Sequence, residues 1–196
     1  MKRRDSLLLA LGSAALATLP ACKPQSAASF NSVDITGANY AREFTLVDAA
    51  GRKRTLADFR GKLVAVFFGF AQCPDVCPTT LSDFAQVRKQ LGADGDKLQV
   101  VFITIDPERD TAPVLAAYVP QFDPSFIGLT GSPDEIAATA REFKVIYQKV
   151  PGKTATSYTM DHSAGTYVFD RDGRVRLFIR HGTGVEPIVA DLKRLL

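Results

Sequence analysis

The feature that most constrains this chain is a continuous apolar run that ends just before two closely spaced cysteines. Residues 63–70 are apolar or glycine without a break, which is typical of a central strand covered on both faces. The segment Cys73-Pro74-Asp75-Val76-Cys77-Pro78 follows it, and apolar residues then recur at a helical period as far as residue 91. We therefore predict a buried strand that leads into a helix whose N-terminus carries two thiols.

The spacing of Cys73 and Cys77 allows two kinds of chemistry. Helical residues four positions apart share one face and lie about 5–6 Å apart, which suits a disulfide and equally suits two thiolates on one metal ion. The positive end of the helix dipole is expected to lower the pKa of both thiols. A disulfide closing so short a loop would stabilise little, so we interpret the pair as redox-active or metal-binding rather than structural.

The rest of the chain follows an alternating pattern of strands and helices. After a short hairpin at residues 44–56, the apolar pattern gives an order in which strands and helices alternate up to the strand at 144–150. Two strands that flank a turn at residues 170–173 and a closing helix then follow. With two thiols at the start of the first helix, this order favours an α/β fold. We predict a thioredoxin-like three-layer sandwich with a central mixed sheet and an N-terminal β-hairpin. The strands are expected at 63–70, 98–105, 126–129, 144–150, 165–169 and 175–180, and the helices at 78–91, 111–118, 132–143 and 185–196.

The N-terminus has the pattern of an export signal. A basic Lys2-Arg3-Arg4 precedes an apolar stretch at residues 7–19, which is shorter than the ~20 residues needed to span a bilayer. Leu19-Pro20-Ala21-Cys22 resembles a bacterial lipobox. We interpret residues 1–21 as a signal peptide of the lipoprotein type and Cys22 as the site of lipid attachment. A plain cleaved signal and an uncleaved short anchor are the alternatives.

This interpretation divides the chain into three parts and fixes its expected location. Residues 22–40 are predicted to be a flexible tether and residues 41–196 the thioredoxin-like domain. The protein is expected to be exported and membrane-anchored by lipid, with its domain facing the periplasm or the cell exterior. Of the formal net charge of +3, +2 lies in the first 21 residues, so no basic face is left for nucleic acid.

The chain has only two histidines, and one of them is a candidate third ligand. His162 is predicted in a loop before the strand at 165–169, which in a thioredoxin-like fold lies beside the cysteine-bearing helix. Two thiolates and an imidazole form a soft ligand set that favours copper, whereas zinc usually takes a fourth ligand. Asp161 is a candidate to orient His162, Asp75 is a candidate oxygen ligand, and His181 is expected to be structural or exposed.

Several segments together resemble the Sco/SenC proteins, a family of thioredoxin-fold copper proteins involved in cytochrome c oxidase assembly. The resemblance covers residues 41 to 196, and the combination of CPDVCP with a downstream DHS is specific to the family. The matching segments are FTLVD (44–48), DFRGK (58–62), FFGF (67–70), CPDVCPTTL (73–81), TIDPERDT (104–111) and DHSAGTYVFDRDG (161–173).

The resemblance implies a function and a set of partners. The copper ligands would be Cys73, Cys77 and His162, binding Cu(I), Cu(II) or both. The protein would be a metallochaperone that delivers copper to the dinuclear copper site of cytochrome c oxidase. Its partners would be the copper-site subunit of the oxidase, and a periplasmic thiol reductant or copper donor. The alternative is an enzyme, a thiol–disulfide oxidoreductase that uses Cys73 and Cys77 as a redox-active pair on the oxidase subunit or other exported proteins.

Overall fold

The computed structural model describes residues 29–154 and 157–196. The predicted signal peptide, Cys22 and the first part of the predicted tether lie outside the described residues. Among the residues described, no helix is both long enough and apolar enough to cross a membrane. Four α-helices lie in the described part of the chain: α1 (Val76–Gln90), α2 (Ala112–Tyr118), α3 (Pro133–Glu142) and α4 (Val185–Lys193).

An eight-stranded mixed sheet forms the centre of the domain, in the order β1-β10-β9-β4-β5-β6-β2-β3. Strands β4, β5 and β6 are parallel, and the other neighbouring strands pair antiparallel. Within the described residues, two further strands, β7 and β8, pair with each other and with no strand of this sheet. The strands are β1 (Val33–Asp34), β2 (Thr45–Asp48), β3 (Lys53–Thr55), β4 (Leu63–Gly69), β5 (Leu98–Thr104), β6 (Ile127–Thr130), β7 (Tyr147–Pro151), β8 (Tyr158–His162), β9 (Thr166–Phe169) and β10 (Val175–Ile179).

The two central strands are apolar throughout because both faces of the sheet are covered. Every residue of β4 and β5 is buried. On one face, Phe67 packs on Phe102 and lies near Cys77 of α1. On the other face, Phe68 packs on Phe143, which directly follows α3, with ring centroids 5.1 Å apart. This arrangement confirms the predicted thioredoxin-like sandwich with its mixed central sheet.

Local sequence signals account for several element boundaries. Helix α3 begins with a capping box, in which Ser132 Oγ accepts from the Glu135 N–H (3.2 Å) and Glu135 Oε2 accepts from the Ser132 N–H (2.7 Å). Pro133 takes the first helical position, where its missing N–H costs nothing. The hairpins β2–β3 and β9–β10 form as predicted.

Two regions differ from the predicted secondary structure. His162 is the last residue of strand β8, so the prediction that it lies in a loop is wrong. The segment before residue 41, predicted as a tether, contains β1, which pairs with the outer strand β10. The Asn31 and Ser32 N–H groups also donate to the buried Asp191 of α4. The folded part of the chain thus begins before residue 41.

Candidate metal centre

Three separate elements bring two thiols and an imidazole to one end of the sheet. Cys73 lies in the loop after β4, where its N–H donates to the Phe70 carbonyl (3.1 Å) and closes a turn. Cys77 is in the first turn of α1, and His162 ends β8. The sulfur of Cys73 also accepts from the Cys77 N–H (3.4 Å), because that N–H is one of the free donors at the helix N-terminus.

The three side chains are close enough to hold one ion. Their ligand atoms all lie within 4.8 Å of one another, and Cys77 Sγ is 3.8 Å from His162 Nε2. Metal–sulfur and metal–nitrogen bonds of about 2.0–2.3 Å place ligand atoms roughly 3.5–4.6 Å apart around a shared ion. The geometry therefore fits a single metal, and both cysteines are free thiols.

A backbone carbonyl fixes which nitrogen of His162 is available. The Ser163 carbonyl oxygen lies 3.0 Å from Nδ1 and can only accept, so Nδ1 carries the proton. The lone pair of Nε2 then faces the Cys77 sulfur. The prediction that Asp161 orients the ring is wrong, since Asp161 is exposed and the acceptor of the Nδ1 proton is this carbonyl.

Burial sets the protonation of the site. It lowers the pKa of His162, which keeps the imidazole neutral and able to coordinate. Burial also raises the pKa of Cys77, which is completely buried. For this cysteine the expectation of a lowered pKa is wrong, because desolvation outweighs the helix N-terminus. The Cys77 thiol therefore keeps its proton until a cation or another partner displaces it.

Aromatic rings and a glycine surround the three ligands. The rings of Phe67 and Phe70 lie 6.2 and 6.0 Å from the His162 ring, centroid to centroid. Gly69, the last residue of β4, lies directly beneath the Cys77 sulfur. This apolar shell limits the access of water to the inner side of the site and leaves Cys73 and His162 half-buried.

The other residues singled out from the sequence lie apart from the ligand group. Asp75 is exposed next to the N-terminus of α1, and the Thr79 hydroxyl donates to it (3.4 Å). His181 is exposed and shares a 3.2 Å hydrogen bond with Thr80. Sequence reasoning did not assign a role to Arg109, which contacts the loop before Cys73. Its only signal was its place in the TIDPERDT segment.

The family follows from comparison with known proteins. A family model described as SCO1/SenC matches residues 33–196 of the chain. The chain belongs to the SCO1/SenC family. This confirms the resemblance found in the sequence, and the match begins at β1 rather than at residue 41.

Relatives of this SCO1/SenC protein come from bacteria and mitochondria. The SCO2 homologue of mouse, described as mitochondrial, is 40% identical over 154 residues, which is 78% of this chain and 60% of that protein. The chain thus spans about 60% of the length of that relative. Bradyrhizobium japonicum ScoI, solved with copper bound, is 43% identical, with a TM-score of 0.72, covering 79% of this chain and 98% of that one. Yeast Sco1, also solved with copper bound, is 32% identical, with a TM-score of 0.71, covering 78% and 85%.

Proposed function

We propose that this SCO1/SenC protein binds one copper ion through Cys73, Cys77 and His162 and delivers it to the dinuclear copper site of cytochrome c oxidase. The observation that carries the proposal is the convergence of two thiols and the unprotonated nitrogen of an imidazole within 4.8 Å. Two relatives of the same fold were solved with copper bound, which supports the choice of metal.

The chemistry of the ligand set favours copper and permits its release. Thiolates and imidazole are soft to borderline ligands, and a three-coordinate site of this kind suits Cu(I). Cys73 and His162 are half-buried, whereas Cys77 is fully buried, so an incoming thiolate can approach from the side of Cys73. The copper then exchanges one sulfur ligand at a time, and each released thiolate takes up a proton.

The cysteine pair gives the protein a second requirement. Both sulfurs must be reduced to bind copper, and an oxidising compartment would join them as a disulfide. We therefore include a thiol reductant among the partners, with a copper donor and the copper-site subunit of the oxidase. Cys73 and Cys77 are in this sense a redox-active pair as well as metal ligands.

The same proposal includes export and a lipid anchor. The pattern of residues 1–21 and the lipobox-like sequence ending at Cys22 support a lipoprotein signal. Lipidation of Cys22 would hold the domain at the outer face of a membrane, facing the periplasm or the cell exterior. Mass spectrometry of the membrane fraction, before and after Cys22→Ser, tests this part independently of copper.

Copper binding is tested by anaerobic titration of the reduced protein with Cu(I) against a competing chelator. We expect one ion per chain. In His162→Ala we expect the affinity to fall more than about 100-fold, since changes outside the ligand shell alone cost about 10–100-fold. His181→Ala removes the other histidine of the chain and is the matched control, with unchanged affinity.

Two outcomes would contradict the proposal. Weak binding by the unaltered protein would remove copper as its cargo. Tight binding that is indifferent to His162→Ala would remove the third ligand. The cysteine pair would then be better explained as the active site of a thiol–disulfide oxidoreductase.

A further inference from the structure

The proposed ligand His162 ends a strand that pairs with a single neighbouring strand outside the central sheet. Strand β8 pairs with β7 alone, and within the described residues neither strand joins the central sheet. An isolated two-stranded hairpin is marginally stable in water. Apart from the short link of residues 163–165 to β9, the position of His162 relative to the thiols therefore depends on contacts between this β7–β8 ribbon and the body of the domain.

Arg109 makes one of these contacts through hydrogen bonds. It lies in the turn after β5, at the same end of the sheet as the cysteine loop. Its Nη1 donates to the carbonyl of Tyr158, the first residue of β8 (2.8 Å), and to Oε1 of Gln72, the residue before Cys73 (3.2 Å). One guanidinium group thus joins the loop that carries the first thiol to the strand that ends in the histidine.

The guanidinium is itself held rigidly. Its Nε pairs with the carboxylate of Asp106, which is 1% exposed, and its Cζ lies over the Tyr158 ring, 3.7 Å from the ring centroid. The Tyr158 hydroxyl donates to the other oxygen of the same carboxylate (2.8 Å). Only arginine can make a planar fork of donors and stack on a ring at the same time, so lysine cannot replace it.

The same turn also contacts the loop before Cys73 through a second residue, Asp110. Oδ2 of the buried Asp110 accepts from the Ala71 N–H (2.9 Å) and from the Thr104 hydroxyl (2.7 Å). Residues 106–110 therefore contact both the loop before Cys73 and the start of β8. By contrast, the ion pair between the turn and the ribbon, Lys149 with Glu108, is exposed and is expected to contribute little.

We propose that Arg109 is a positioning residue for the metal centre, which sets the distance between His162 and the two thiols by tying the β7–β8 ribbon to the cysteine loop. The inference rests on the proposed copper function, since it concerns the same three ligands. The TIDPERDT segment contains none of the three proposed ligands, and Arg109 gives it a role in the metal centre.

The test compares Arg109→Lys with Arg88→Lys in the full chain. Arg88 is a matched control, because its side chain is 23% exposed against 20% for Arg109 and it also bridges two segments, pairing with Asp96 (2.5 Å) and Asp123 (3.2 Å). In Arg109→Lys we expect Cu(I) affinity to fall about 10–100-fold, as for outer partners of metal ligands. Arg88→Lys should leave it unchanged.

Two further measurements separate positioning from general destabilisation. If Arg109 acts through His162, adding Arg109→Lys to His162→Ala should cause no further loss of affinity. In the metal-free protein, amide hydrogen exchange should accelerate in β7 and β8 of Arg109→Lys while β4 and β5 stay protected. Tyr158→Phe, which keeps the ring and removes the hydroxyl, should show the same pattern to a smaller extent.

The outcomes distinguish this inference from the proposed function. Weak copper binding by the unaltered protein would defeat the proposed function. Tight wild-type binding that Arg109→Lys leaves unchanged, or a loss that adds in full to that of His162→Ala, would overturn the inference alone. Unchanged exchange in the β7–β8 ribbon would overturn it as well.

Discussion

Gly69 shows how a single hydrogen atom in place of a side chain shapes the metal centre. A Cβ at this position would lie 2.8 Å from the Cys77 sulfur and 2.8 Å from the Phe102 ring. Both neighbours are fully buried, so neither can move aside freely. The close approach of β4 to the first turn of α1 therefore requires glycine at residue 69.

Gly69→Ala is expected to damage binding and stability together. The added methyl displaces the Cys77 sulfur from its place opposite His162, so Cu(I) affinity should fall about 10–100-fold, as for other changes around metal ligands. Overpacking of this kind also costs about 1–3 kcal/mol of unfolding free energy. Chelator competition and chemical denaturation measure the two effects.

Gly128→Ala is the control for overpacking without contact to the thiol. Gly128 lies on strand β6, and a Cβ there would be 3.1 Å from Leu115 and 3.1 Å from Val119. This variant should lose stability and keep its copper affinity. Equal loss of affinity in both variants would show that Gly69 acts through stability and not through the position of Cys77.

At this scale the sequence points to candidate ligands but not to the residues that position them. The sequence allows three ligands to be proposed because thiols and imidazoles are rare in this chain and because few roles other than metal binding and redox chemistry suit them. These ligands are Cys73, Cys77 and His162. Gly69 and Arg109 could not be proposed, because their roles arise from contacts between segments that are distant in sequence. The raised pKa of Cys77 was missed for the same reason, since burial is a property of the packed domain.

Two hairpins of the sheet are closed by the same arrangement of an aspartate and two arginines. Asp170 directly follows β9 and begins the turn of the β9–β10 hairpin. Its carboxylate accepts from the Asp172 and Arg174 N–H groups (3.1 and 3.0 Å). The Arg174 and Arg176 side chains also donate to it (3.1 and 3.4 Å). Burial by itself would raise the pKa of Asp170, but these hydrogen bonds and the charge of Arg174 lower it overall.

The first hairpin repeats this pattern between β2 and β3. Asp48 accepts from the Ala50 and Arg52 N–H groups and from the side chains of Arg52 and Arg54, all at 2.9–3.0 Å. Burial by itself would raise the pKa of Asp48 too, but these hydrogen bonds outweigh it and the pKa is again lowered. Both turns read Asp-x-x-Gly-Arg-x-Arg in the sequence, and in both the glycine has a positive φ (74° at Gly51, 80° at Gly173).

Asp170→Asn is expected to cost about 1.5–3 kcal/mol of unfolding free energy at pH 7, the value for hydrogen bonds to charged groups. A carboxylate whose folded pKa is depressed stabilises the fold above its unfolded pKa of about 3.9, and this stabilisation disappears as the pH falls through the folded value. The difference between variant and wild type should therefore shrink below about pH 4. Urea denaturation from pH 7 to pH 2.5 measures it.

Asp172→Asn is the matched control, because this side chain is 72% exposed and forms an ion pair with Arg174 at the surface. Its cost should be within about 1 kcal/mol at any pH. A deficit in Asp170→Asn that is equally large at pH 3 and pH 7 would show that the charge of the carboxylate is not what closes the turn.

At the scale of elements, the sequence predicted what local patterns encode. Strands β4 and β5 were evident as unbroken apolar runs, and α3 from its capping box. Strand β8 was missed because its residues follow no alternation that separates it from a loop, and only one of them, Met160, is buried. Its pairing with β7 and its contacts with Arg109 hold it in place.

Across the whole molecule, hydrogen bonds join the two terminal segments of the described chain. The carboxylate of Asp191, which is completely buried in α4, accepts from the Asn31 and Ser32 N–H groups, both at 2.8 Å, and from the Asn31 amide (2.9 Å). Strand β1 then extends the sheet beyond β10. No local pattern predicts this contact, because residues 23–32 are polar and small, without periodicity, and their partner lies about 160 positions away.

Asp191→Asn tests whether this contact is separate from the metal centre. The asparagine oxygen can keep the two hydrogen bonds that Asp191 Oδ1 accepts from Asn31, but its NH2 group then faces the Ser32 N–H in place of Oδ2, so about 1–3 kcal/mol of unfolding free energy should be lost. Chymotrypsin should then cleave faster near Phe30 and Tyr40, while Cu(I) affinity stays unchanged, because the three proposed ligands are held by the loop after β4, by α1 and by the β7–β8 ribbon. Asp134→Asn, an exposed carboxylate in α3, should alter none of these measurements by much. If copper affinity fell along with protease resistance, the N-terminal segment would have to be counted as part of the scaffold of the metal centre.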